Sequence, residues 1–205
     1  MRPYTKQINM LAVLAFLMCQ ACSASTSIKS VKAPDYANNT KKLFVSVHGG
    51  LGNLITGDAF DATFSSYIQS CGITFQSSHD AHRQLKWNNI PVIMLPPAEQ
   101  EQTYEKADAV LIHQYAPDTI LDVKSTGYTT QTLTRYGVPV SAPTLSDTKY
   151  DVILTDAASG KKVWRAQVDL ALHRSDSKEA GETLAKDILK KMKQDGLLLS
   201  CPAVE

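Results

Sequence analysis

The stretch Tyr150–Leu172, Y-D-V-I-L-T-D-A-A-S-G-K-K-V-W-R-A-Q-V-D-L-A-L, constrains the fold more than any other. Asp151 to Thr155 is rich in β-branched residues and reads as a strand. Asp156 to Lys161 is a turn, opened by Asp156 and closed by Gly160 at a positive φ. Val163 to Leu172 then alternates. Val163, Arg165, Gln167 and Asp169 face one way, and Trp164, Ala166, Val168, Leu170 and Leu172 the other. A hairpin with one apolar side must lie in a sheet that is buried on that side and wet on the other.

The rest of the chain supplies what covers this sheet. Leu43 to Val47 predicts a first strand, followed by a glycine-rich loop from His48 to Asn53. Asp58 is a candidate N-cap for a helix whose core face is Phe60, Phe64, Tyr67, Ile68 and Cys71, stopped by Gly72. Ile73 to Gln76 predicts a second strand, Ser77 to Asn89 a loop, and Ile90 to Leu95 an extended segment. Glu99 to Lys106 predicts a short helix and Ala109 to Tyr115 a third strand, broken by Pro117. Thr119 to Thr134 predicts a strand and Tyr136 to Thr148 a loop or mobile arm. After Asp176, with Glu179 three residues on, Ala180, Leu184, Ala185, Ile188, Leu189 and Met192 mark a closing helix that Gly196 ends. This order predicts a two-layer α/β sandwich: a mixed sheet with a C-terminal antiparallel hairpin and helices packed on one face, its first strands partly parallel because helices intervene.

The N-terminus reads as an address. Arg2 and Lys6 precede an apolar run, Met10 to Met18, too short to span a membrane. Cys22 follows the small residue Ala21 at the end of this run and resembles the acylated cysteine of a bacterial lipoprotein box. The competing reading is an ordinary secretory signal cut after Ala21 or Ala24, which gives a soluble periplasmic or secreted protein. The expected division is a signal peptide at 1–21, a lipid anchor and flexible tether at 22–42, and one α/β domain at 43–201. Ser23 after the cysteine implies the periplasmic face of the outer membrane. Export leaves Cys71 and Cys201 in an oxidising compartment, where they are a possible disulfide.

Candidate chemistry is sparse. The formal net charge is +1, and Lys186, Lys190, Lys191 and Lys193 suit a helix C-terminus, so a nucleic-acid partner is not expected. His79, Asp80 and His82 are weak candidates for a metal, against a solvated loop. His48, His113 and His173 stand alone. Leu43 to Gly50 imitates the strand and H-G-G turn of a hydrolase oxyanion hole, but no G-x-S-x-G elbow accompanies it. The same glycines lack the spacing of a phosphate cradle. No cofactor is implied. Trp164 is a core candidate and Trp87 a candidate contact residue.

The segments D-V-I-L-T-D-A-A-S-G-K-K-V-W-R-A-Q, K-K-L-F-V-S-V, D-A-F-D-A-T-F-S-S-Y-I-Q-S-C-G-I and K-A-D-A-V-L-I-H-Q-Y together resemble a broad family of small bacterial envelope lipoproteins. The resemblance covers about 41–198. It implies a fold similar to penicillin-binding-protein activator lipoproteins and to the N-terminal domain of the Tol propeller protein. It implies no catalytic residue. The expectation is therefore a non-enzymatic binding or assembly module with an envelope protein partner, held to the membrane by its lipid anchor only. The alternatives are a periplasmic small-ligand or metal-binding protein and, third, a small hydrolase.

Overall fold

A computed structural model describes residues 25–37, 39–48, 54–88, 95–131, 134–135, 138–139, 145–172 and 177–204. The signal segment, Cys22, most of the glycine loop, the segment 90–94, His173 and Asp176 lie outside them. The main sheet has six strands in the order β1-β8-β7-β4-β2-β3. They are β1 (Ser25–Lys32), β2 (Lys42–His48), β3 (Thr74–Ser77), β4 (Thr119–Gln131), β7 (Leu145–Asp156) and β8 (Lys162–Leu172), and a small ladder joins β5 (Thr134–Arg135) to β6 (Val138–Pro139). Strand β2 pairs in parallel with both β3 and β4. The other neighbours are antiparallel. The sheet is thus mixed, as expected, and ends in the predicted hairpin. The β7–β8 turn follows Asp156, and Gly160 has φ 67°.

One face of the sheet carries the core. Val45, Leu121, Leu154 and Trp164 lie level across β2, β4, β7 and β8, and Val47, Val123, Val152 and Ala166 form the next row. Helix α1 (Leu54–Ser70) covers this face with Phe60, Phe64 and Ile68, all at 0% exposure. The last helix, α4 (Ser177–Gln194), covers it with the whole predicted stripe from Ala180 to Met192. The two helices meet so closely at Gly181 that a Cβ there would sit 2.2 Å from the Thr56 carbonyl oxygen. Trp164 is buried beneath them, and its Nε1 donates to Asp195 at 2.8 Å. Cys71 and Cys201 are joined by a disulfide, with Cα atoms 4.7 Å apart. The bridge ties the end of α1 to the tail beyond α4.

Several sequence expectations are corrected. The supposed tether contains strand β1, paired with β8 from Ser25↔Ala171 to Lys32↔Trp164. Its polar alternation hides it, because Thr26 and Ser30 turn inward and bond Asp187 on α4 and Asp195 just past its end instead of packing apolar surface. Helix α1 begins at Leu54, so Asp58 is an interior residue and not its N-cap. Ser77 to Asn89 is no loop: α2 (His79–Asn88) occupies it and carries Trp87. Glu99 to Lys106 and Ala109 to Tyr115 are one helix, α3 (Pro97–Tyr115), and no third strand exists there. A short apolar run suits a buried strand or a helix equally, and neither Gly nor Pro interrupts Ala107-Asp108-Ala109. Strand β7 reaches back to Leu145, into the predicted loop. Val163, expected on the wet side, is buried where the β7–β8 ladder shifts register.

The second face is only partly wet. Arg165, Gln167 and Asp169 are exposed as expected. Over β2, however, α3 covers the sheet. Phe44 is 0% exposed and faces the Tyr115 ring at 6.5 Å between centroids, while Ser46 bonds Asp108 of α3. Helices therefore pack on both faces, with a gap left between α3 and the strands beside β2.

Candidate functional site

That gap is the candidate site. It is a cavity of about 370 Å³ floored by β2, β4 and β7 and walled by α3. The period-2 alternation of the strands places its lining: Ser46 and His48 from β2, Asp122 and Lys124 from β4, Asp151 and Ile153 from β7. Helical spacing adds Glu105, Asp108, Ala109 and Ile112 from one side of α3.

Asp108 is the polar centre of the wall. It is 4% exposed and is held from three directions. His82 Nε2 lies 2.5 Å from Oδ1, Ser46 donates its hydroxyl to Oδ2, and His48 Nε2 is 3.7 Å from Oδ2. Ser46 Oγ is also 2.6 Å from His48 Nε2. One hydroxyl has one proton. With that proton on the bond to Asp108, His48 Nε2 carries its own and donates it to Ser46. The His82 ring lies 4.6 Å from that of Tyr104 and 6.1 Å from that of His48.

Charges elsewhere in the lining are partly neutralised. Lys124 pairs with Glu101 of α3, which holds the Glu101 carboxyl below its usual range. Asp151 takes two bonds from Arg165, at 2.8 and 2.9 Å. Asp122 differs. Burial pushes its carboxyl above the usual range, and the negative charge of Asp108 adds to the shift while His48 opposes it. Coulombic neighbours surround it, with carboxylates outnumbering the single lysine among the lining residues. The cavity is therefore ligand-sized and rich in carboxylates, with Ile153, Ala109 and Ile112 as its aliphatic part.

The sequence candidates fall apart in a specific way. His79, 6% exposed, turns to Asp58 of α1 at 3.0 Å, Asp80 pairs with Arg83, and His82 turns to Asp108 of α3. The two histidines thus rivet α2 to its neighbours, Asp80 pairs within α2 itself, and the three side chains do not converge. Among the described residues no group of three or more His, Cys, Asp or Glu is arranged to hold a metal ion. The His79 ring lies where a Cβ on Gly57 would be, 2.0 Å from Cε1. Beside it Asp61 is pushed up to about 6, chiefly by burial, and its Oδ1 has no hydrogen-bond partner. His113 is exposed on α3. Ser46 lies next to His48, but it is 2% exposed, and Asp108 approaches the same Nε2 rather than the far ring nitrogen that a catalytic relay uses. The described residues thus contain no hydrolase triad around His48. Sequence reading missed Asp108 and Asp122. Their only signal is an acid beside apolar residues, in A-D-A-V-L and I-L-D-V.

No protein-family model matches the sequence, and no curated protein matches it. Solved structures align with the chain at low identity. The PelC dodecamer from Paraburkholderia phytofirmans aligns with a TM-score of 0.44 and 12% identity, over 79% of this chain and 94% of that one. Lipoprotein GNA1162 from Neisseria meningitidis aligns with a TM-score of 0.37 and 14% identity, over 75% and 98%. A minor lipoprotein from Acinetobacter baumannii gives 0.33 and 11%, over 76% and 94%. What fold and site define is an open mixed α/β sheet with a polar cavity on its second face. Among the described residues no helix is long and apolar enough to cross a membrane.

Proposed function

We propose that this protein is exported, acylated at Cys22 and held at the periplasmic face of the outer membrane, where its domain acts as a binding or assembly module and not as a catalyst. The observation that carries the reading is the Cys71–Cys201 disulfide. Such bonds persist in oxidising compartments, which agrees with the basic and apolar segment ahead of Cys22. The polar atoms around Asp108 bond one another and leave no activated nucleophile, which suits binding better than covalent chemistry. Intact-mass measurement of the mature chain tests the anchor: a diacylglycerol-modified, N-acylated Cys22 is expected, and a free Ser25 or Cys22 N-terminus sinks the reading. Crosslinking in whole cells tests the binding role, which predicts a discrete adduct with one envelope protein.

A second reading, a small-ligand-binding periplasmic protein, is favoured by the cavity alone. The half-buried, carboxylate-rich lining around Asp122 suits a small ligand bearing an ammonium group. Isothermal titration with a series of small organic amines separates the two readings. Saturable binding lost in Asp122→Asn favours the second, and silence across the series removes it.

A further inference from the structure

We infer that the open edge of β3, with the groove beside it, takes an extended, basic segment of a protein partner as a further strand of the sheet, with a Lys or Arg of that segment set against Asp61. The inference rests on the binding reading above and deepens it: it says where the partner docks, in what conformation and with what charge.

Strand β3 is the last strand on its side of the sheet, and among the described residues no strand pairs with its outer edge. Its parallel pairing with β2 uses alternate residues. The Thr74 N–H donates to the Lys41 carbonyl and the Ser78 N–H to the Val45 carbonyl. Phe75 and Ser77 therefore turn their backbone N–H and C=O groups to the open side. Open edges are commonly guarded by lysine, proline or a bulge. The opposite edge strand, β1, carries Lys29 and Lys32. Strand β3, Thr74-Phe75-Gln76-Ser77, carries no charge and no proline.

A cavity of about 480 Å³ lies against this edge. Phe75, Gln76 and Ser77 line it together with residues of α1 and α2 and with Leu111 of α3. Helices α1 and α3 cover opposite faces of the sheet, so a cavity that touches both reaches round the sheet's edge. An extended chain laid there meets Phe75 and Ser77 with its backbone and the helices with its alternate side chains.

The charge of the groove selects the segment. Asp61 of α1 and Asp80 of α2 line it, and no Lys, Arg or His does. Asp80 is paired with Arg83. Asp61 pairs with no cation among the described residues, and one of its carboxylate oxygens is buried without a hydrogen-bond partner there. The Ser77 hydroxyl and His79 favour its charged form, but burial, Asp80 and Asp58 outweigh them. His79 itself turns to Asp58. A cation brought by the partner compensates a charge that the fold leaves uncompensated. Gln69, Gln76 and Gln84 offer amide donors and acceptors to the rest of the segment.

The test uses the full chain as purified from the envelope and a set of acetylated, fluorescently labelled octapeptides of alternating Thr and Val, each with one Lys at a different position. Saturable anisotropy is expected for at least one peptide. Its affinity should fall about tenfold or more when Glu replaces the Lys, when the peptide's amides are N-methylated, and in Asp61→Asn. Asp61→Asn removes a buried charge and is expected to be no less stable than the parent, so its lost binding is not lost folding. Silence across the set, or binding that survives N-methylation or Asp61→Asn, overturns the inference. A benzophenone amino acid at Gln84 or at Gln167, in whole cells, separates this outcome from failure of the binding reading. An adduct at position 84 and not at 167, joined through a segment of an envelope protein that contains Lys or Arg, supports the groove. Adducts at 167 alone, or at both positions alike, overturn the groove and leave the binding reading standing. An adduct at 84 between two copies of this chain puts a second copy in the partner's place and overturns the inference. No adduct at either position overturns both.

Discussion

Replacing Asp61 with Asn is expected to stabilise the protein at neutral pH and to leave it nearly unchanged in acid. The Asp61 carboxyl is raised from 3.8 to about 6, first by burial, with Asp80 and Asp58 adding to the shift while the Ser77 hydroxyl and His79 oppose it. Its folded-state value lies above its unfolded value, so between those two the folded chain binds more protons and stability falls as pH rises. The penalty is complete above about pH 6 and absent well below 3.8. About two units at 1.36 kcal/mol each give a cost of about 3 kcal/mol at neutral pH. At pH 4 the same linkage leaves about 0.5 kcal/mol. Asn keeps the shape, cannot ionise, and removes this term. The assay is urea unfolding of both chains with the disulfide intact. With a slope near 2 kcal/mol/M, the midpoint of Asp61→Asn should exceed that of the parent by about 1.5 M at pH 7.5 and by only a few tenths at pH 4. Comparing the chains at each pH cancels the other titrating groups to first order. Equal midpoints at pH 7.5, or a gain of the same size at both pH values, would refute the argument.

Other consequences follow from single contacts. Gly181→Ala places a methyl group 2.2 Å from the Thr56 carbonyl oxygen, which belongs to a helix backbone and cannot swing aside, so a loss of about 1–3 kcal/mol is expected in urea melts. The Cys71→Ser, Cys201→Ser double variant opens a loop with a sequence separation of 130, for which chain entropy gives a loss of up to about 5 kcal/mol, read as a lower melting temperature that the parent reproduces only with a reductant present. Asp195→Ala removes the acceptor shared by Ser30 and the Trp164 indole, which pins the far half of β1 beside the end of α4 while Thr26 still bonds Asp187; a cost of about 1–2 kcal/mol and faster amide exchange in Ser27–Lys32 are expected. Asp122→Asn relieves a carboxyl raised by burial, so its midpoint should rise at pH 8 relative to pH 4, and an unchanged difference would place Asp122 in water.

The elements that sequence reading recovers bury apolar faces. The hairpin alternation from Trp164 to Leu170, the Phe60-Phe64-Ile68 row and the stripe on α4 each repeat with the period of their own backbone, and each is buried as read. The elements it misses bury polar faces. Helix α2 turns His79 and His82 inward, α3 turns Asp108 inward, and β1 turns Thr26 and Ser30 inward. A polar residue facing the protein has no period distinguishable from one facing water, because its burial depends on partners far away in sequence. Asp108 meets Ser46 across 62 positions and Ser30 meets Asp195 across 165. Burying such groups is tolerable only because each finds its hydrogen bond.

The misread elements are therefore not scattered. Helices α2 and α3 are neighbours, and the carboxylate they share, Asp108, forms the wall of the cavity. Where local pattern and global fold disagree, a chain has kept polar groups that an apolar wall would have made unnecessary, and such places are where function tends to lie. The hydrogen bonds of Ser46, His48 and His82 hold one carboxylate in place, and on the neighbouring strand the Asp122 carboxylate has no such network among the described residues. An apolar substitution of Asp108 alone would strand two histidines and a hydroxyl. A concerted change of Ser46, His48, His82 and Asp108 to apolar residues of similar volume would cost little stability, as paired buried charges often do. If the quadruple variant folds with the parent's stability yet loses its crosslinked partner or its ligand, the network is retained for recognition. If it loses stability in proportion to the bonds removed, the network is only a rivet between α2, α3 and the sheet.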